Sequence, residues 1–171
     1  MLSITFLALS VLLISANAQD CSQPPPKGVQ PPDCCPGSCP MAEKNAEECG
    51  LSASHGPPGG LGAPGGPSCE AMQCLMKKDG LLTADNKINK AAFKTFSEQQ
   101  YSAEWRPAIA KALAACDADT NKADDCEVRR YILCFKDNIF TNCPASVFVQ
   151  SADCTALKSF MEKCPRSGPP Q

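Results

Sequence analysis

The chain has 171 residues, of which 43% are hydrophobic and 20% charged, with a net charge of −2 and a single histidine. This composition fits one folded domain with an appendage. It excludes a strongly basic nucleic-acid binder and any multi-histidine metal centre. Thirteen cysteines are the dominant feature, a density that points to a disulfide scaffold.

Leu2 to Ile14 is almost continuously apolar, and Ala16-Asn17-Ala18 supplies a small-x-small cleavage signal before Gln19. The run is short for a membrane span and no second one follows, so residues 1–18 read as a secretory signal peptide, with no membrane insertion. A secreted chain meets an oxidising compartment, so its cysteines are expected in disulfides.

Residues 19–68 hold 11 prolines and 9 glycines in 50 positions, whereas residues 69–164 hold 2 prolines and 1 glycine in 96. Proline and glycine break helices. The first stretch is therefore an irregular Cys/Pro/Gly-rich extension and the second a helical core; residues 165–171 are a polar tail. Within the extension, a short helix is expected at 40–49, from Pro40 to Gly50. His55 sits in Ser-His-Gly-Pro-Pro-Gly and reads as part of an exposed loop, 55–67.

The core reads as successive amphipathic helices. Ser68 caps the first, near 69–79, with Met72, Leu75 and Met76 on one face and Gly80 at its end. Leu81 and Leu82 follow in a turn. A second helix near 88–100 carries Ile88, Ala92, Phe93 and Phe96. Ser102 opens a third, with Trp105, Ile109, Leu113 and Cys116 at helical spacing and Pro107 in its first turn. The longest, 126–142, starts at Asp124 or Asp125 and carries Val128, Tyr131, Ile132, Phe135 and Ile139. The last, near 153–163, carries Leu157, Phe160 and Met161. Ser146 to Gln150 is too short to build a sheet. The expected fold is all-α: a disulfide-stapled bundle of about six to eight helices around an apolar cavity.

Helix geometry limits the disulfides. Cys134 and Cys143 would be separated by about 13 Å on one helix, beyond the ~4.4–6.8 Å Cα separation a disulfide tolerates. Cys69 and Cys74 are unsuited to each other for the same reason. Spacing alone does not choose among the remaining arrangements, and an odd count leaves one thiol free or paired between chains.

The segment Cys74-Leu75-Met76-Lys77-Lys78-Asp79-Gly80-Leu81-Leu82, followed by Asp85-Asn86-Lys87-Ile88, resembles the middle of an insect odorant-binding protein. The resemblance runs from about residue 49 to 164. Forty-one residues separate Cys74 from Cys116, and eight separate Cys134 from Cys143, as in that family's six-cysteine signature. Pro144 directly after Cys143, Cys154 ten residues further on and the additional Cys126 resemble the Plus-C class. Four residues lie between Cys69 and Cys74, where the family usually has three. The resemblance implies Cys49–Cys74, Cys69–Cys134 and Cys116–Cys143, with Cys126–Cys154 and a bond from Cys164 to an N-terminal cysteine as further expectations.

It also implies a function: an extracellular carrier, in sensory lymph, that reversibly binds small apolar or volatile organic ligands such as odorants or pheromones. An odorant receptor or a second copy of the chain are the implied partners. A stapled helical shell can keep an apolar cavity, the usual form of a small-molecule site. Candidate wall residues are Leu75, Met76, Leu82, Phe93, Phe96, Trp105, Ile109, Leu113, Tyr131, Phe135, Ile139 and Phe148, each of which also reads as ordinary core. Size and flexibility favour Met76, Phe93, Trp105 and Phe135. No enzyme motif, cofactor or metal is indicated; Asp124-Asp125 are helix N-terminal charges. A phospholipase needs a histidine setting that His55 lacks. The alternative is a disulfide-rich structural or protein-interaction protein without a small-molecule ligand.

Overall fold

A computed structural model describes residues 21, 26, 28–38, 43–51, 68–119 and 125–164. The signal-peptide reading of 1–18, the loop 55–67 with His55, Cys39 and the tail 165–171 lie outside the described residues. Among these residues seven α-helices follow in chain order: α1 (Pro31–Cys34), α2 (Glu43–Glu48), α3 (Cys69–Lys78), α4 (Lys90–Gln100), α5 (Arg106–Ala118), α6 (Glu127–Thr141) and α7 (Ala152–Lys163). A single 3-10 turn, Ala103–Trp105, leads into α5. Among the described residues there is no strand, only an isolated antiparallel bridge between Leu82 and Ile88. The fold is all-α, as expected.

Local chemistry sets the helix limits. Ser68 Oγ accepts the Ala71 N–H at 3.2 Å and caps α3. At the other end Gly80 adopts φ +71. The Gly80 N–H bonds to the Lys77 carbonyl at 3.1 Å and the Leu81 N–H to the Met76 carbonyl at 2.8 Å. This double closure is the Schellman stop, which needs a left-handed residue and suits glycine. Asn89 caps α4 through Ala92 N–H, and Ser151 caps α7 through Cys154 N–H, each at 3.1 Å. The longest helix starts at Glu127, with Cys126 as its cap residue.

The core centres on α6. Its residues Tyr131 to Phe135 are buried in unbroken succession, so it is covered all round, as a central helix must be. It packs most extensively on α5, which offers Ala108, Ile109 and Ala112, and also on α3 and α7. The Pro/Gly-rich extension contributes to this core. Cys34 and Cys35 are both completely buried, and the Cys34 carbonyl accepts the Val149 N–H at 2.9 Å.

Among the described residues, six disulfides link twelve cysteines. They are Cys21–Cys164, Cys34–Cys154, Cys35–Cys143, Cys49–Cys74, Cys69–Cys126 and Cys116–Cys134. Their Cα separations, from 5.3 Å to 6.2 Å, lie in the normal range. Cys49–Cys74 and the reach of Cys164 to an N-terminal cysteine are as expected, and Cys134 and Cys143 bond to different elements. Three expected pairs are not formed. Cys69 joins Cys126 instead of Cys134, because the start of α6 lies beside the start of α3. Cys116 joins Cys134 instead of Cys143, because both face the α5–α6 seam. Cys143 and Cys154 are taken by the adjacent, buried Cys35 and Cys34.

Candidate functional site

The Schellman stop of α3 places Leu81 back against Met76, and these two begin one wall of a cleft between α3, α4 and α6. From α4 come Phe93, Phe96 and Ser97, with Tyr101 just past its end. From α6 come Ile132, Phe135 and Lys136, one helical face at i, i+3 and i+4. Ser38 of the extension and Asp79, the cap residue of α3, complete the lining.

Ring packing fixes the floor. Phe93 stands edge-on to Phe135 at 4.9 Å and to Tyr131 at 5.3 Å between centroids, the arrangement ring quadrupoles favour. Ser97, which is buried, returns its hydroxyl hydrogen to the Phe93 carbonyl at 2.8 Å, so it presents no unsatisfied polar atom. Behind the floor, the Tyr131 hydroxyl donates to Asp117 at 3.1 Å, and Asp117 also pairs with Lys90 at 3.2 Å. Burial first, and then the Asp117 charge and its hydrogen bond, push the Tyr131 hydroxyl well above the usual phenol range.

The extension closes one side. The Tyr101 hydroxyl donates to the Ser38 carbonyl at 2.9 Å, while the Tyr101 ring leans on Trp105 with centroids 5.1 Å apart. Cys35–Cys143 anchors the chain just before this wall. On the other side α2 buttresses α3 through Cys49–Cys74, a Lys78–Glu48 ion pair, and the Asn45 amide, which donates to Asp79 at 2.5 Å.

The empty space is about 450 Å³ with the open mouth included, but the centre of a water-sized body can range over only about 40 Å³ of it. One water needs about 10–15 Å³ of such space. The cleft as it stands therefore takes a few waters, and a larger guest must displace side chains. Phe96 and Lys136 are only half-buried, which leaves their side chains room to turn.

Four of the expected wall residues, Met76, Phe93, Phe96 and Phe135, meet at the cleft. Leu75, Ile109 and Ile139 are buried away from it. Trp105 stands one ring behind, against Tyr101, and Tyr131 backs Phe93. Leu82 is held in its bridge with Ile88, and Leu113 is half-buried on α5. Phe148 lies against Phe140, with Lys158 Nζ 5.1 Å above its ring. Of the lining residues not anticipated, Ile132 and Lys136 share the Phe135 face of α6, which helical periodicity displays. Ser38 and Tyr101 were not signalled, since they meet only through the tertiary fold. Among the described residues no cluster of His, Cys, Asp or Glu is arranged to hold a metal ion, and no helix is long and apolar enough to cross a membrane.

The class these features define is a disulfide-tied, all-helical protein with a small apolar cleft. Residues 67–138, which span α3 to most of α6, match the PBP/GOBP family. Over 117 residues the chain is 28% identical to general odorant-binding protein 68 of Anopheles gambiae, covering 58% of this chain and 55% of that protein. The chain thus spans about half the length of the curated relative it matches. The resemblance to the odorant-binding family read from Cys74 to Leu82 is thereby shown for residues 67–138, and twelve bonded cysteines are consistent with the Plus-C class.

Proposed function

We propose that the protein is a secreted carrier that reversibly binds small hydrophobic organic molecules, of the odorant or pheromone kind, without turning them over. The observation that carries this is the apolar cleft between α3, α4 and α6, built from the segment that matches the PBP/GOBP family. Its walls offer carbon surfaces and aromatic faces, and each 100 Å² of apolar ligand surface withdrawn from water contributes about 2.5 kcal/mol before association costs. The frame is held by disulfides, so it stays folded while Phe96 and Lys136 move aside for a guest. Delivery in sensory lymph, to a receptor or as a homodimer, belongs to the same proposal.

Trp105 provides the test. It is the sole tryptophan and touches Tyr101 on the cleft wall. Titration with a panel of volatile apolar compounds should change its emission saturably and displace a fluorescent apolar probe. A Phe96→Trp change, which narrows the mouth, should weaken binding while circular dichroism stays helical. Absence of saturable binding across the panel, or no response to narrowing the mouth, refutes the proposal.

A further inference from the structure

Lys136 is the one cation among the cleft residues. It is half-buried on α6, beside Phe135 and one turn from Ile132. Among the described residues its side chain makes no hydrogen bond and no ion pair. The other charge of the lining, Asp79, is differently placed: its carboxylate already accepts from the Asn45 amide. The charge at the cleft without a side-chain partner is therefore the Lys136 ammonium, carried on a flexible four-carbon stem. A cation set beside apolar surface gains most from an anion that arrives with its own apolar tail.

We infer that Lys136 selects amphipathic anions, carboxylates with a hydrocarbon chain, whose head group pairs with its Nζ while the tail lies against Phe93, Phe96 and Phe135. The inference rests on the carrier reading above and assigns the ligand class of the same cleft. Asp79, the other charge of the lining, opposes an anion, so it tunes the preference downward and disfavours a second negative group.

The test compares four probes of equal chain length: decanoic acid, its methyl ester, decanol and decylamine. At neutral pH the acid should bind about five- to tenfold more tightly than the ester, the scale of one partly exposed charge-assisted hydrogen bond. Lys136→Met, which keeps the stem's bulk, should bring that ratio to about one, and Lys136→Arg should preserve it. Asp79→Asn, which leaves an oxygen for Asn45, should raise it. Equal binding of acid and ester to the unaltered protein, a ratio unmoved by Lys136→Met, or a preference for the amine or the alcohol overturns the inference and leaves the carrier reading intact. Failure of all four probes to bind overturns both.

Discussion

Truncating Phe93 separates what the cleft contributes to stability from what it contributes to binding. The ring is 4% exposed and contacts Tyr131 and Phe135 edge to face. A buried Phe→Ala change costs about 3–5 kcal/mol, of which two aromatic pairs account for ~1–3 kcal/mol. One flank of Phe93 already borders open space, so the lower end applies, about 3 kcal/mol. For a chain of this size that corresponds to a fall in Tm of about 6–12 °C. Phe140 is the matched control: it is completely buried but does not line the cleft. Phe140→Ala should cost as much or more and leave ligand affinity unchanged, whereas Phe93→Ala should enlarge the cleft and shift preference toward bulkier ligands. Urea unfolding without reductant, followed by circular dichroism, gives the stability. Displacement of the fluorescent probe gives the affinity. A Phe93→Ala loss below about 1 kcal/mol would contradict the packing described, given the usual cost of such truncations. Equal effects of both variants on ligand preference would show that the cleft is not the binding site.

Peptide mapping under non-reducing conditions should recover the Cys34-Cys35 peptide joined to both the Cys143 and Cys154 peptides; a Cys116–Cys143 link would refute the pairing. Tyr131→Phe should cost about 1 kcal/mol, the worth of one hydrogen bond to a partly exposed partner, in thermal unfolding at neutral pH. Because the folded state raises the Tyr131 pKa above the ordinary 10.0, this contribution is intact below that pH. It is lost progressively as pH rises beyond it. Absorbance titration should accordingly show one late phenol that vanishes in the variant, and two early phenols would refute the burial. Ser151→Ala removes the cap of α7 and should cost about 1 kcal/mol in urea unfolding, and no measurable change would refute the capping role.

The helices were legible in the sequence because their signals are local. Ser68 lies at a capping position, Gly80 ends α3, and the apolar faces of α3, α4 and α6 follow the helical period. The four-residue α1 has no period to display, and nothing in the alternation of residues marks it. The cleft was half legible for the same reason. Met76, Phe93, Phe96 and Phe135 stand out as large apolar residues on helix faces, while Lys136 looks like a solvated charge until α3 and α4 are seen to flank it. Ser38 joins the wall through a backbone carbonyl, which no side-chain pattern announces. Disulfide partners depend on which helices lie side by side. Cys126 caps the helix that carries Cys134, and only the placement of α3 and α5 decides that Cys126 meets Cys69 and Cys134 meets Cys116.

The adjacent cysteines 34 and 35 also govern the order in which the chain can be completed. Cys116–Cys134 and Cys49–Cys74 span 18 and 25 residues, whereas the bonds of Cys35, Cys34 and Cys21 span 108, 120 and 143. Loop closure grows costlier with span, and during synthesis the distant partners emerge last. The bonds among residues 49–134 can therefore form first, whereas Cys35 has no native partner until residue 143 has emerged and Cys34 none until residue 154. The N-terminal segment is thus the last part to be fastened. Two neighbouring thiols await different partners eleven residues apart, and exchanging those partners is the mispairing that oxidative refolding must avoid.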